Sequence, residues 1–208
     1  MKTTRDEILN VSLRLFSERG FDAVSTSMIA GELGITKGAL YRHFANKQEI
    51  FDSIIKKMFE LDEERANENR VAPTVPKKDD EAYGKTEFED FCSYAVNQFN
   101  FWTENEFAKN FRKMITIEQF RNEKMTKLFQ DVIGYGPIKY SADILAEMME
   151  TGKLNDEAAK MGPMNLAIML FAPLQLMIQL SDGGADKNEL KRQLKEVIKD
   201  FETRWKRG

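Results

Sequence analysis

The chain has 208 residues, ordinary apolar and charged fractions (42% and 31%) and a net charge of −3. This is enough to bury a core without covalent staples, while no global basic excess points to nucleic acid, so any such role must rest on local charge placement. One cysteine (Cys92) and one histidine (His43) exclude an intramolecular disulfide and make a protein-only metal site implausible, since zinc takes about four such ligands.

The opening MKTTRDEIL lacks the apolar core of a secretory leader, and Cys92 fits a reducing compartment, so a cytoplasmic protein is expected. Apolar residues recur at spacings of three and four nearly throughout, without strand-like alternation, which predicts an all-α chain. A first helix is expected over 5–19, with Thr4 and Glu7 as a capping box and Gly20 as its stop. Ser25 is placed to cap a helix over 26–33, closed by Gly34, and Thr36 to cap a helix over 37–44 whose Leu40 and Phe44 face inward. A fourth helix starts near residue 46 and runs past Phe59.

NRVAPTVPKKDDEAYGK, residues 69–85, reads as a linker or surface loop. Helices are then expected over 86–104, through Phe107–Met114, over about 117–133, over 138–151 after the break GYGP (134–137), and in a short piece capped by Asn155. The apolar stretch 164–181 contains Asn165, Pro173, Gln175 and Gln179 and falls short of the roughly 20 apolar residues that span a bilayer. It is expected as a buried helix of a protein with no membrane partner, kinked at Pro173. Asp186 and Glu189 cap the last helix, 187–205.

Residues 25–47 carry the chemistry. Two short helices joined through Gly34, with a third element behind, fit either a plain helical corner or a helix-turn-helix, whose second helix enters the DNA major groove with its N-terminal residues at base edges. Lys37 can reach a purine acceptor or a phosphate, small Gly38 and Ala39 let the backbone approach, and Lys47 with the N–H groups of the fourth helix can meet a phosphate. No acidic residue occurs from Leu33 to Gln48, as a surface facing phosphates requires.

STSMIAGELGITKGALYRHFANKQEIF, with the preceding ILNVSLRLFSERGFDAVS, resembles the N-terminal signature of the tetracycline-repressor (TetR) family of bacterial regulators. The match lies in Ile29-Ala30, Gly34, the Lys-Gly pair after Thr36, Leu40-Tyr41, His43-Phe44 and Lys47, and covers residues 5–60. The resemblance implies a DNA-binding head (1–47) of three helices, joined through the fourth helix to a ligand-binding and dimerisation body (48–208), about nine or ten helices in all. It places Thr26 and Ser27 at phosphate or base contacts, Thr36, Lys37, Gly38 and Ala39 at or beside base-reading positions, and Tyr41, His43 and Lys47 at phosphate contacts. Ser27 departs from the long polar residue common there, which weakens readout by the 26–33 helix.

A single head binds weakly, and two heads roughly 34–36 Å apart read a palindrome. The last two helices are therefore expected to form a homodimer interface, through Ile168, Phe171, Gln175, Leu194, Val197 and Phe201. Leu190, Leu194, Val197, Phe201 and Trp205 form one stripe. The aromatic population of 88–129 allows a pocket from Tyr94, Gln98, Trp102, Phe111, Met114 and Phe120, suited to an apolar or aromatic small-molecule effector, although such stripes equally build plain cores. Cys92 is expected as a packed thiol. With no acid-base pair, nucleophile triad or phosphate loop, neither an enzyme nor a cofactor is expected. The expected function is a ligand-responsive homodimeric repressor released from a palindromic operator on double-stranded DNA. The competing expectation is a helical small-molecule-binding or adaptor protein without DNA binding.

Overall fold

The computed structural model describes residues 3–71 and 86–207, so most of the expected 69–85 loop lies outside the described residues. The described residues form eleven α-helices, including one of six residues: α1 (Arg5–Arg19), α2 (Thr26–Glu32), α3 (Lys37–Tyr41), α4 (Lys47–Glu68), α5 (Phe88–Glu104), α6 (Glu106–Glu118), α7 (Glu123–Val132), α8 (Tyr135–Glu150), α9 (Asp156–Met161), α10 (Pro163–Asp182) and α11 (Lys187–Trp205). They pack as two compact units, Met1–Leu61 with Glu106–Phe129, and Asp62–Asn105 with Gln130–Gly208. Packing thus divides the chain differently from the 47/48 division: α6 belongs with the N-terminal helices.

Local chemistry sets the helix ends. Thr4 accepts from the Glu7 N–H while the Glu7 carboxylate accepts from the Thr4 N–H, which satisfies two donors at the start of α1. Gly20, at φ +79°, ends that helix with its N–H on the Phe16 carbonyl. Asn155 and Asp186 accept from the N–H groups three residues on and start α9 and α11. The α4 helix ends through Arg70, at φ +56°, with the Val71 N–H reaching back to Ala66.

In the first unit, α1 packs on α6 and α2 on both α1 and α3. The core is built from Ile8, Leu13, Phe16, Ile29, Leu40, Phe44, Ile50, Ile54, Phe111 and Met114, all 2% exposed or less. Phe16, Phe21 and Phe51 form a ring cluster with centroids 5.0 to 6.2 Å apart. Such packed rings gain roughly 0.5–1.5 kcal/mol per pair beyond their area.

In the second unit, α10 packs against α5, α8, α9 and α11. Leu166, Leu170, Leu174 and Ile178, at helical spacing, form its buried face, and the opposite face leaves Ile168, Met169, Leu176 and Leu180 exposed. Within the single chain, 164–181 is thus buried along one face only. Among the described residues α10 is long and apolar enough to cross a membrane, but one whole face is engaged by neighbouring helices. It runs without a break across Pro173. The α11 stripe is Leu190, Leu194, Ile198, Phe201 and Trp205, so Ile198 takes the place expected for Val197. Its C-terminus is pinned by the Asn155 N–H on the Trp205 carbonyl at 3.0 Å and by a Lys206–Glu89 ion pair. Cys92 is 1% exposed, and burial pushes its thiol pKa well up, as a packed thiol requires.

Candidate nucleic-acid interface

The helix-turn-helix follows from three local devices. Ser25 accepts from the Met28 N–H at 3.2 Å and starts α2. Thr36 accepts from the Ala39 N–H at 3.1 Å and starts α3. Between them Gly34 sits at φ +65°, where a side chain is strained, and the Ile35 N–H closes the turn on the Ala30 carbonyl at 3.0 Å. Leu40 and Phe44 are 1% and 2% exposed, so burying them turns Thr36, Lys37, Gly38 and Tyr41 outward, all exposed. Regular α3 geometry stops at Tyr41 rather than 44, and the His43 and Phe44 N–H groups bond the Leu40 carbonyl in a tighter final turn.

The outer surface is joined at one seam. The Tyr41 hydroxyl lies 3.3 Å from the Thr26 hydroxyl, and the Lys37 ammonium lies 5.7 Å from the Tyr41 ring centre. Ser27 is exposed beside Thr26, Ala39 is half-buried, and His43 is half-buried with its carbonyl accepting from Arg5 at 2.9 Å. Among the described residues no carboxylate pairs with Lys37 or with the adjacent exposed Arg42. The flanking acids are occupied: Glu32 pairs with Arg14, and Glu49 accepts from the Ala45 N–H at 2.6 Å and faces Arg5 at 3.7 Å. The local absence of negative charge in the sequence is thus kept in three dimensions, leaving two solvent-facing cations on a surface of small and hydroxyl-bearing residues.

Gly38 is informative. A Cβ there would meet nothing closer than the Thr36 hydroxyl at 3.9 Å, so nothing within the chain requires a glycine. The glycine leaves the backbone at the start of α3 uncovered on its exposed side.

Lys47 is a correction. Its ammonium donates to the Phe21 carbonyl at 2.6 Å and the Val24 carbonyl at 2.8 Å and lies 4.2 Å from the Phe21 ring centre. The side chain is half-buried against the α1–α2 turn instead of reaching out to a phosphate. Burial pulls its pKa below the ordinary lysine value.

The same turn is held from the other side by residues that sequence reasoning missed. The Phe21 N–H donates to the buried Glu118 carboxylate at 2.8 Å, and Arg121 bonds Asp22 at 2.7 Å while lying 4.9 Å from the Phe21 ring centre. Glu118 was visible in the sequence as a lone acid on the apolar face set by Phe111, Met114 and Ile115. Beside this clamp, Phe21, Gln48, Phe51, Arg121, Asn122, Lys124 and Met125 line an open cleft of about 160 Å³.

The six residues expected to line one pocket are divided between the two units. Tyr94, Gln98 and Trp102 lie in the second, on α5. Phe111 and Met114 are fully buried in the core of the first, and Phe120 is 88% exposed. Of the expected dimer residues, Ile168 and Val197 are exposed at 46% and 39%, and Phe171 and Gln175 are half-buried, with Gln175 donating to the Ile133 carbonyl at 3.0 Å. Leu194 and Phe201 are 0% and 6% exposed within a single chain, because the α11 stripe turns them into the core against α5 and α10.

Comparison with known proteins places this geometry. Residues 8–54 match the family described as "Bacterial regulatory proteins, tetR family". The chain is 47% identical over 51 residues to the HTH-type transcriptional regulator AcrR of Shigella flexneri, covering 24% of each chain. It is 28% identical over 155 residues to the uncharacterized HTH-type transcriptional regulator YerO of Bacillus subtilis, covering 69% of this chain and 52% of that one. The matched region thus spans between about a quarter and a half of these relatives' lengths. The whole fold is similar to that of SmeT, the repressor of the Stenotrophomonas maltophilia multidrug efflux pump SmeDEF, in its triclosan complex (TM-score 0.69, 18% identity, 98% of this chain and 91% of that one). The helix-turn-helix, within residues 8–54, is thus matched in sequence to the tetR family of bacterial regulatory proteins, and the chain as a whole is similar to solved helical structures in fold alone.

Proposed function

We propose that the protein is a homodimeric repressor that binds a palindromic operator on double-stranded DNA and is released by a small molecule, in the cytoplasm. The observation that carries this is the outward surface of α2 and α3, with two cations that no carboxylate neutralises and a glycine that nothing inside the chain requires. Lys37, Gly38 and Ala39, at the N-terminal turn of α3, meet base edges, and Thr36, at its cap, lies beside them. Thr26, Ser27, Tyr41 and His43 position the head on the phosphates. Lys47 supports the α1–α2 turn.

In this reading residues 1–47 carry DNA contact and 48–208 carry effector binding and dimerisation. The exposed apolar face of α10, with Ile168, Met169, Leu176 and Leu180, and Val197 of α11, receives the same face of a second copy. SmeT, similar in fold, has been determined with triclosan, which supports a body able to take an aromatic molecule. Here Tyr94, Gln98 and Trp102 of α5 are the effector residues. The effector acts only by its different affinity for the two DNA-binding states.

Selection of bound sequences from a random duplex pool by the full-length chain tests the reading. The expected result is an inverted repeat with half-sites about one helical turn apart. No enrichment over the input pool contradicts it.

A further inference from the structure

Among the described residues of the second unit, a guanidinium with no carboxylate in ion-pair contact lies beside a buried phenol hydroxyl with no hydrogen bond. Arg65, near the C-terminal end of α4, places its guanidinium 3.6 Å from the Phe101 ring centre and 5.8 Å from that of Tyr94. Its two terminal nitrogens donate to the Gln98 side-chain carbonyl at 3.2 Å and the Asn97 backbone carbonyl at 3.4 Å. Both are long for an arginine fork, whose bonds to carboxylate run about 2.7–2.9 Å. Among the described residues no carboxylate forms an ion pair with it. The charges of Asp62 and Glu68, on the same helix, act on it to raise its pKa.

The Tyr94 residue is 4% exposed, and its hydroxyl is buried without a hydrogen bond. Gln98 lies close enough to the phenol to favour its ionised form, yet no hydrogen bond to it meets geometric limits, and the same amide oxygen accepts from Arg65. A buried hydroxyl is ordinarily satisfied, and a half-buried guanidinium is ordinarily paired. Burial disfavours the charged form of each, lowering the Arg65 pKa and raising that of Tyr94. One group would satisfy both: a carboxylate takes the arginine fork with two oxygens and accepts the phenol proton on one of them. The neighbouring wall is aromatic, with Phe101 and Trp102 centroids 5.2 Å apart.

We propose that Arg65 and Tyr94 form the anion-binding end of the effector site, and that the effector is an apolar or aromatic carboxylate rather than a neutral molecule. The carboxylate displaces the long Gln98 and Asn97 contacts, and its apolar part lies toward Phe101 and Trp102. This rests on the reading that the body takes an effector.

Isothermal titration of the full-length protein with 2-naphthoate and with 2-naphthamide, equal in shape and different in charge, tests it. The acid is expected to bind about tenfold or more tighter than the amide. Arg65→Gln is expected to bring that ratio to about one while leaving the amide within about twofold of its former affinity. Tyr94→Phe, which removes only the hydroxyl, is expected to weaken the acid alone, and it carries the test if Arg65→Gln fails to fold by circular dichroism. Equal binding of acid and amide overturns the anion site and leaves the effector reading standing, as does an acid preference that survives both substitutions. Binding of neither compound at about 1 mM overturns both.

Discussion

The Phe21 backbone is gripped at both ends by side chains far apart in sequence: Glu118 accepts its N–H at 2.8 Å and the Lys47 ammonium donates to its carbonyl at 2.6 Å. Its ring lies between two cations, with Lys47 4.2 Å and Arg121 4.9 Å from the centroid. The turn that sets the angle between α1 and α2 is therefore fixed by α4 and by the end of α6, all within the first unit. The orientation of the outward α2–α3 surface, proposed to read DNA, thus depends on contacts made within the chain.

Replacing Lys47 by methionine removes two hydrogen bonds from a charged donor to carbonyls that have little access to water. The expected cost is about 1–3 kcal/mol of stability, read as a lower thermal midpoint, with DNA affinity falling equally on all sequences. Unchanged stability, together with a salt dependence flattened by about one unit per head, would instead show a phosphate contact.

Glu118→Ala leaves the buried Phe21 N–H without a partner and is expected to cost about 1–3 kcal/mol. Glu118→Gln keeps an acceptor oxygen and should cost clearly less. Equal losses in chemical denaturation would mean that the charge, through its contact with Arg121 at 3.3 Å, matters more than the acceptor.

Gly38→Ala has room inside the chain and exchanges a poor helix former for the best one, so stability is expected to stay or rise by up to about 1 kcal/mol. Operator affinity is expected to fall about tenfold, some 1.4 kcal/mol, because the added methyl stands between backbone and base. Unchanged affinity by fluorescence anisotropy would place Gly38 outside the interface.

Leu176→Arg and Val197→Glu put charges on exposed positions of α10 and α11, so the fold should be kept within about 0.5 kcal/mol. Light scattering on a sizing column is expected to show a dimer for the unsubstituted chain and a monomer for the double variant. A dimer in both cases would move the interface elsewhere.

The sequence disclosed most where a device is local. The capping box at Thr4 and Glu7, the caps at Ser25, Thr36, Asn155 and Asp186, and the Gly34 turn each involve residues a few positions apart, and all stand as expected. It disclosed least where the partner is distant. The carbonyls that Lys47 caps lie 23 and 26 residues away, and the N–H that Glu118 serves is 97 residues distant, so no local pattern names either partner. The α5 aromatics illustrate the same limit. Helical spacing put Tyr94, Gln98 and Trp102 on one face, but nothing local said that Phe111 and Met114 belong to the other unit. In α11, Val197 and Ile198 are neighbours of similar hydrophobicity, and only packing against α5 and α10 decided that Ile198 turns inward.

The most direct test of the central claim, that α3 reads base sequence, is the Lys37→Ala variant measured by fluorescence anisotropy on the selected operator and on its single base-pair variants. The predicted result is a preference relaxed by about 1–3 kcal/mol at one or two positions in each half-site, with the others unchanged. An equal loss of affinity on every duplex, or no loss at all, would contradict it.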